Sequence, residues 1–158
     1  MAFLENSDAH LICVDTFRGS VGDPTAAVSR DTVVRYLLQR LEPHEKRVSI
    51  IVGDSRKTAS IISDGIADLI FIDAAHDYEN VKADIEAWHS KLKPNGTFAG
   101  HDFPKMIAQQ TPEKLDELSR LNYCPETGIH YGVIRAVCER FKEVSLHGGQ
   151  DSTVWTAR

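Results

Sequence analysis

Between Asp68 and Phe103 the chain reads DLIFIDAAHDYENVKADIEAWHSKLKPNGTFAGHDF. Two apolar runs in it end alike. Leu69-Ile70-Phe71-Ile72 stops at Asp73, with His76 and Asp77 just beyond, and Thr97-Phe98-Ala99-Gly100 stops at His101-Asp102. Carboxylates at such exits accept hydrogen bonds from hydroxyl and amine donors, or ligate a divalent cation. An imidazole placed there can carry a proton near neutral pH. Acids also end the two earlier apolar runs, at Asp15 after His10–Val14 and at Asp54 after Val48–Gly53. Taken singly, each acid is equally well a helix cap or turn residue, and Asp77 is read as the cap of the helix that follows it. Four strand exits ending in acids point to one shared binding site.

The elements that must position these residues follow from periodicity. The largely apolar stretches 10–17, 47–54, 67–73 and 97–103 read as buried strands. Between them, Val33, Val34, Leu37, Leu38 and Leu41 recur at helical spacing, with Pro43 closing that helix. A short helix precedes Gly65. Tyr78, Val81, Ile85, Trp88 and Leu92 form one helical stripe, with KPNG as a turn after it. Another helix is expected over GVIRAVCERF, and a hairpin around Gly148-Gly149. Alternating strands and helices with unbroken apolar strands predict an α/β fold: a mostly parallel, doubly wound sheet with a C-terminal antiparallel hairpin. In such sheets ligands bind beyond the carboxyl ends of the strands, where the acids lie. Trp88, Trp155, Cys13 and Cys138 are read as core.

The bulk properties narrow the function. The chain has 158 residues, 42% hydrophobic and 26% charged, enough for a single domain over 1–158 with its own core. A net charge of −5 disfavours a nucleic-acid partner. No apolar run is long enough to span a bilayer, and MAFLENSDAH lacks the features of a signal peptide. Three scattered cysteines show neither metal spacing nor a disulfide framework. A cytoplasmic location is expected.

With these residues in view, the 66–103 segment resembles the fourth-to-fifth-strand region of class I S-adenosylmethionine-dependent methyltransferases. Within them it is similar to the small-molecule group with a strand, an "IDG-H-YE" pattern, a helix, "LKPGG" and "GHD". ICVDTFRGS resembles that group's second strand and VSIIVGDS its third, while GVIRAVCERF and STVWTAR match the tail. The resemblance implies a Rossmann-like fold and methyl transfer from S-adenosylmethionine to a small-molecule acceptor, through a hydroxyl. It places Asp15 on the cofactor ribose, Thr16 and Phe17 beside the adenosine, Asp54 and Ser55 at the adenine edge, and Asp73 at the methionine end. His76, His101 and Asp102 face the acceptor as the catalytic set. Asp73 and Asp102 also stand where some relatives hold Mg2+, although Ala74-Ala75 replaces a Gly-Asp pair that would add a carboxylate.

The family's first strand and its Gly-rich turn are not found; MAFLENSDAH aligns with the end of the helix after that strand. The expected consequence is two strand edges without a hydrogen-bond partner. Direct pairing of the flanking strands, a longer parent chain, or a homo-oligomer covering the gap would each answer it, and the homo-oligomer is the expectation adopted. A non-catalytic, methyltransferase-like interaction module is the alternative function. A nicotinamide-dependent oxidoreductase would need the same absent glycine fingerprint. The long connection 104–132 after Asp102 is read as a helix-bearing lid or surface insertion, with Tyr123, His130 and Tyr131 as acceptor contacts if it is a lid.

Overall fold

The computed structural model describes residues 2–19, 29–104, 117, 120–125, 127–149 and 152–158. The helix expected within 111–121 lies almost wholly outside them. The chain gathers into two compact units, Met1–Thr58 and Ala59–Arg158.

In the first unit, a short helix α1 (Ala2–Glu5) leads to β1 (Leu11–Asp15), and α2 (Arg30–Leu41) runs through a 3₁₀ turn (Glu42–Arg47) into β2 (Val48–Val52). The helix α3 (Ser55–Ile61) starts here. β1 and β2 pair in parallel, Leu11 opposite Val48 and Asp15 opposite Val52. Ser29 caps α2 by accepting from the Thr32 amide, and Pro43 at the 3₁₀ start ends the α-helical ladder. The Arg47 guanidinium donates to the carbonyls of Leu4, Ser7 and Ala9, tying the N-terminal segment to the start of β2. The apolar stripe expected to bury α2 does not do so. Only Leu41 is buried, and Val33 and Leu38 are 39% and 53% exposed.

In the second unit, β3 (Ala67–Ile72), α4 (Tyr78–His89), β4 (Leu92–Gly100), α5 (Tyr131–Arg140), β5 (Val144–His147) and β6 (Val154–Ala157) form a sheet of order β3-β4-β6-β5. β3 and β4 are parallel, β6 is antiparallel to β4, and the β5–β6 hairpin follows its sequence signal. Lys93–Gly96 is not a turn outside the strand. It is a bulge within β4: Ala67 faces Leu92, but Leu69 already faces Thr97. Gly96 makes this fold-back possible, since a Cβ there would lie 2.6 Å from the Leu92 side chain.

The core of this unit is Phe98, Val137, Trp155, Val81 and Ile85, all under 2% exposed, with Ile134 and Phe141. Phe98 lies parallel to Trp155 and tilted on Phe141, with centroids 6.5 and 5.4 Å apart. Trp155 is core as expected, and Trp88 packs against the core half-buried. Cys138, expected inside, is exposed because it falls on the outer face of α5, and Cys13 is only half-buried. Among the described residues β1 pairs with β2, and β3 pairs with β4. No helix among the described residues is long and apolar enough to cross a membrane.

Candidate active site

At the carboxyl ends of β3 and β4 the structure brings together Asp73, His76, His101 and Asp102. β3 delivers Asp73 and β4 delivers the His-Asp pair, because parallel pairing aligns the two exits: Ile72 faces Gly100, and the His101 amide donates to the Ile72 carbonyl. Asp77 caps α4, accepting from the Asn80 amide at 3.1 Å, and so fixes where His76 leaves the loop. The cap predicted for Asp77 is therefore its role. Tyr78, the tyrosine of the H-x-Y pattern, faces away from this cluster. Its hydroxyl donates to Glu139 at 2.6 Å, and Arg135 lies 4.0 Å over its ring, joining α4 to α5.

Asp102 is the hub. Its Oδ2 is 3.0 Å from His76 Nε2 and its Oδ1 is 3.2 Å from His101 Nδ1. Its backbone has φ +64, the left-handed region that costs a non-glycine residue conformational energy. Burial alone would raise the Asp102 carboxyl, but the His76 hydrogen bond and the charges of His76, His101 and His130 hold it below the ordinary 3.8. Asp73 moves the other way. Desolvation raises it, and Asp102 adds to that, while His101 and His76 oppose. Two neighbouring carboxyls are thus pushed in opposite directions, the pattern by which sites separate acid and base duties.

The hydrogen bonds tell the two histidines apart. An ionised carboxylate only accepts, so the His76 nitrogen that faces it, Nε2, carries a proton. His101 is engaged at both nitrogens: Nδ1 meets Asp102 and Nε2 lies 2.8 Å from the Thr153 hydroxyl. Its carbonyl accepts from Trp155 Nε1 at 3.0 Å. His101 is thereby held as a strut between Asp102 and the β6 end. Sequence placement alone made the two histidines equivalent; Thr153 separates them.

One residue of this neighbourhood carried little signal in the sequence. The His130 ring lies 4.2 Å from that of His76 and 5.0 Å from that of Tyr123. Burial, and then the charge of His76, lowers its pKa. Tyr131, grouped with it as an acceptor contact, is instead 5% exposed and part of the core.

Five of the six cofactor candidates, Asp15, Thr16, Phe17, Asp54 and Ser55, lie at the carboxyl end of the β1–β2 pair, where the Gly53 amide donates to the Asp15 carbonyl. The Asp15 carboxylate accepts from the Phe17 amide at 2.7 Å, and Phe17 takes φ +53. Asp54 caps α3 by accepting from the Lys57 amide, the contact that most lowers its pKa.

Asp73, His76 and Asp102 each offer one ligand atom, all within 4.8 Å of one another. Two carboxylates and an imidazole suit a transition dication better than Mg2+, which prefers oxygen ligands and retained waters.

Residues 1–103 match the family model of a methyltransferase domain. No curated protein matches the chain. Among solved structures it is similar to a candidate O-methyltransferase from Klebsiella pneumoniae, at 18% identity and TM-score 0.56 over 95% of this chain and 61% of that one. A candidate caffeoyl-CoA O-methyltransferase from Staphylococcus aureus matches at 18% and 0.56, over 95% and 76%. The TDP-rhamnose 3′-O-methyltransferase of calicheamicin biosynthesis matches at 16% and 0.53, over 94% and 58%. The chain spans about three fifths of the length of the Klebsiella protein. These likenesses show the Rossmann-like fold, and the family match covers well over half of the sequence. The chain belongs to the methyltransferase-domain family.

Proposed function

We propose that the chain serves S-adenosylmethionine-dependent methyl transfer to a hydroxyl of a small acceptor, with His76 as the base. The observation that carries this reading is the Asp102-held imidazole of His76 next to Asp73 at two adjoining strand exits. The cofactor supplies an electrophilic methyl group on a sulfonium. In this reading Asp15 would accept from the ribose hydroxyls, Asp54 and Ser55 would serve the adenine edge, and Thr16 and Phe17 would lie along the adenosine, as the family resemblance implies. Asp73 faces the methionine end. His76 would take the acceptor hydroxyl's proton as the acceptor oxygen receives the methyl group that the bound cofactor would supply. Asp102 steadies the imidazolium that results, and His101 holds Asp102 in place. The remainder of catalysis is proximity and orientation. That a similar structure is named as a sugar 3′-O-methyltransferase agrees with an oxygen acceptor.

Two further assignments belong to this reading. A dication held by Asp73, His76 and Asp102 would orient the acceptor oxygen, at the expense of the His76–Asp102 hydrogen bond. A second copy of the chain is the other assignment, and the exposure of Leu69 and Phe71 on β3, 42% and 50%, supports it. A monomer by light scattering at all concentrations removes that assignment.

The first test is calorimetric titration of S-adenosylmethionine and S-adenosylhomocysteine, with and without Mg2+ or Mn2+. Micromolar binding supports the reading; a folded chain that binds neither leaves the non-catalytic interaction module. Once an acceptor is found, His76→Ala is expected to lower turnover by about 10²–10⁴-fold, and His101→Ala by clearly less. The reverse order would transfer the base role to His101.

A further inference from the structure

Residues 100–103, at the end of β4 and just beyond it, are fastened to the start of β6 at three points. Gly100 lies under the Trp155 ring, so close that a Cβ there would fall 2.6 Å from Trp155 Cζ2 and 2.6 Å from the Ile72 carbonyl oxygen. The His101 carbonyl accepts from Trp155 Nε1 at 3.0 Å. The Phe103 amide donates to the Thr153 carbonyl at 2.9 Å, and the Phe103 side chain is buried in the core. Asp102 lies between these fixed points, and it is there that the backbone turns left-handed, at φ +64. A conformation of that cost persists where the surroundings over-determine it. Trp155 does so on one side of Asp102 and Thr153 on the other.

Thr153 also brings its side chain to this place. Its hydroxyl lies 2.8 Å from His101 Nε2, while His101 Nδ1 is 3.2 Å from Asp102 Oδ1. A lone pair on Nδ1 would face an ionised carboxylate, so in the neutral ring the proton belongs on Nδ1 and the lone pair on Nε2. The Thr153 hydroxyl then donates to Nε2. One residue at the entry to β6 thus holds the chain after Asp102 by its carbonyl and the ring beside Asp102 by its hydroxyl. We propose that Thr153 is a positioning residue for Asp102: it keeps the His101 ring in one tautomer and one orientation, so that the carboxylate stays between the two imidazoles with Oδ2 on His76 Nε2. The proposal rests on the reading of His76 as the base for its catalytic meaning, but not for its structural content. Thr153 acts through His101 and Asp102 and needs no contact with the acceptor.

The test is long-range 1H–15N correlation of the histidine rings in the 15N-labelled chain, with a chelator present and at alkaline pH, where the rings are neutral. The native protein is expected to show His101 as one tautomer, protonated on Nδ1. Thr153→Val keeps the backbone carbonyl and the branched shape and removes the hydroxyl. It is expected to shift both His101 nitrogens toward the averaged values of mixed tautomers and to move the His76 Nε2 signal with them. Thr153→Ser, which keeps the hydroxyl, is expected to restore both. Thr153→Ala gives the same reading as valine should Thr153→Val fail to fold. Unchanged His101 nitrogens in a folded Thr153→Val or Thr153→Ala chain would overturn the proposal. So would a His101 ring that scrambles while His76 Nε2 stays where it was, or a Thr153→Ser chain that remains scrambled. With an acceptor in hand, Thr153→Val is expected to lower kcat about tenfold with the KM for S-adenosylmethionine unchanged. Turnover that survives His76→Ala, while Thr153→Val still moves the His101 and His76 signals, would reject the base assignment and keep the positioning one.

Discussion

The two units use the same device, parallel strands that end in acids, and differ in what stands behind it. In the first, Leu4 and Leu41 are the buried apolar side chains among the described residues, and the acids at the strand exits hold their own loops. Asp15 accepts from the Phe17 amide and Asp54 caps α3. In the second, the sheet rests on Phe98, Trp155, Val81, Ile85 and Val137, and Asp102 is held from two sides by rings that are themselves held. A carboxylate that satisfies its own backbone is kept in place by local chain geometry. One set between side chains from β4, β6 and two loops is kept in place by the core. The second arrangement fixes two side chains relative to each other, and the first fixes each acid to its own loop.

The comparison breaks most readily at the core. Phe98→Ala is expected to cost about 3–5 kcal/mol in urea unfolding, whereas Val33→Ala, on the exposed stripe of α2, should cost well under about 1 kcal/mol. Equal losses would mean that the first unit has a core of its own that its surface exposure conceals. Next in size is Arg47→Met, which leaves three carbonyls without their donor; a loss of about 1–3 kcal/mol is expected, with the imidazole spectrum of His76 unaltered. A changed His76 signal there would show that the units communicate.

The smallest effect sharpens the contrast inside the second unit. Asp102 is depressed in the folded chain, so it contributes stability above its unfolded pKa and loses that contribution as pH falls through the folded value. Asp73 is raised, so ionising it in the folded state costs stability, and the cost grows as pH rises from the unfolded pKa through the folded one. Asp102→Asn should therefore destabilise at neutral pH and converge with the native chain in acid. Asp73→Asn should stabilise at neutral pH and likewise converge in acid. Urea midpoints at several pH values distinguish the two, and parallel curves would show that the pair does not differ in this way.

Much of the second unit was legible because its signals are local. The stripe Val81–Ile85 does face the core, Asp77 does cap α4, and the Gly148-Gly149 turn does join two antiparallel strands. What escaped was set by partners distant in sequence. The bulge at Lys93–Gly96 is a property of how β4 slides along β3, which no window over KPNG contains. The split between His76 and His101 depends on Thr153, and the packing of His130 on His76 depends on how Asn122 and Gly132 meet the start of α4. The α2 stripe was misread for a different reason. Helical periodicity reports a face able to be buried, and burial also needs something to lie against.

The left-handed backbone at Asp102 has a consequence for how this chain would respond to selection. A glycine at 102 would relieve the conformational cost of φ +64 and delete the carboxylate in the same step. A library of variants at this position screened for heat resistance would therefore drift toward glycine or asparagine, and one screened for product would return to aspartate. Backbone comfort and the proposed chemistry thus pull this one position in opposite directions.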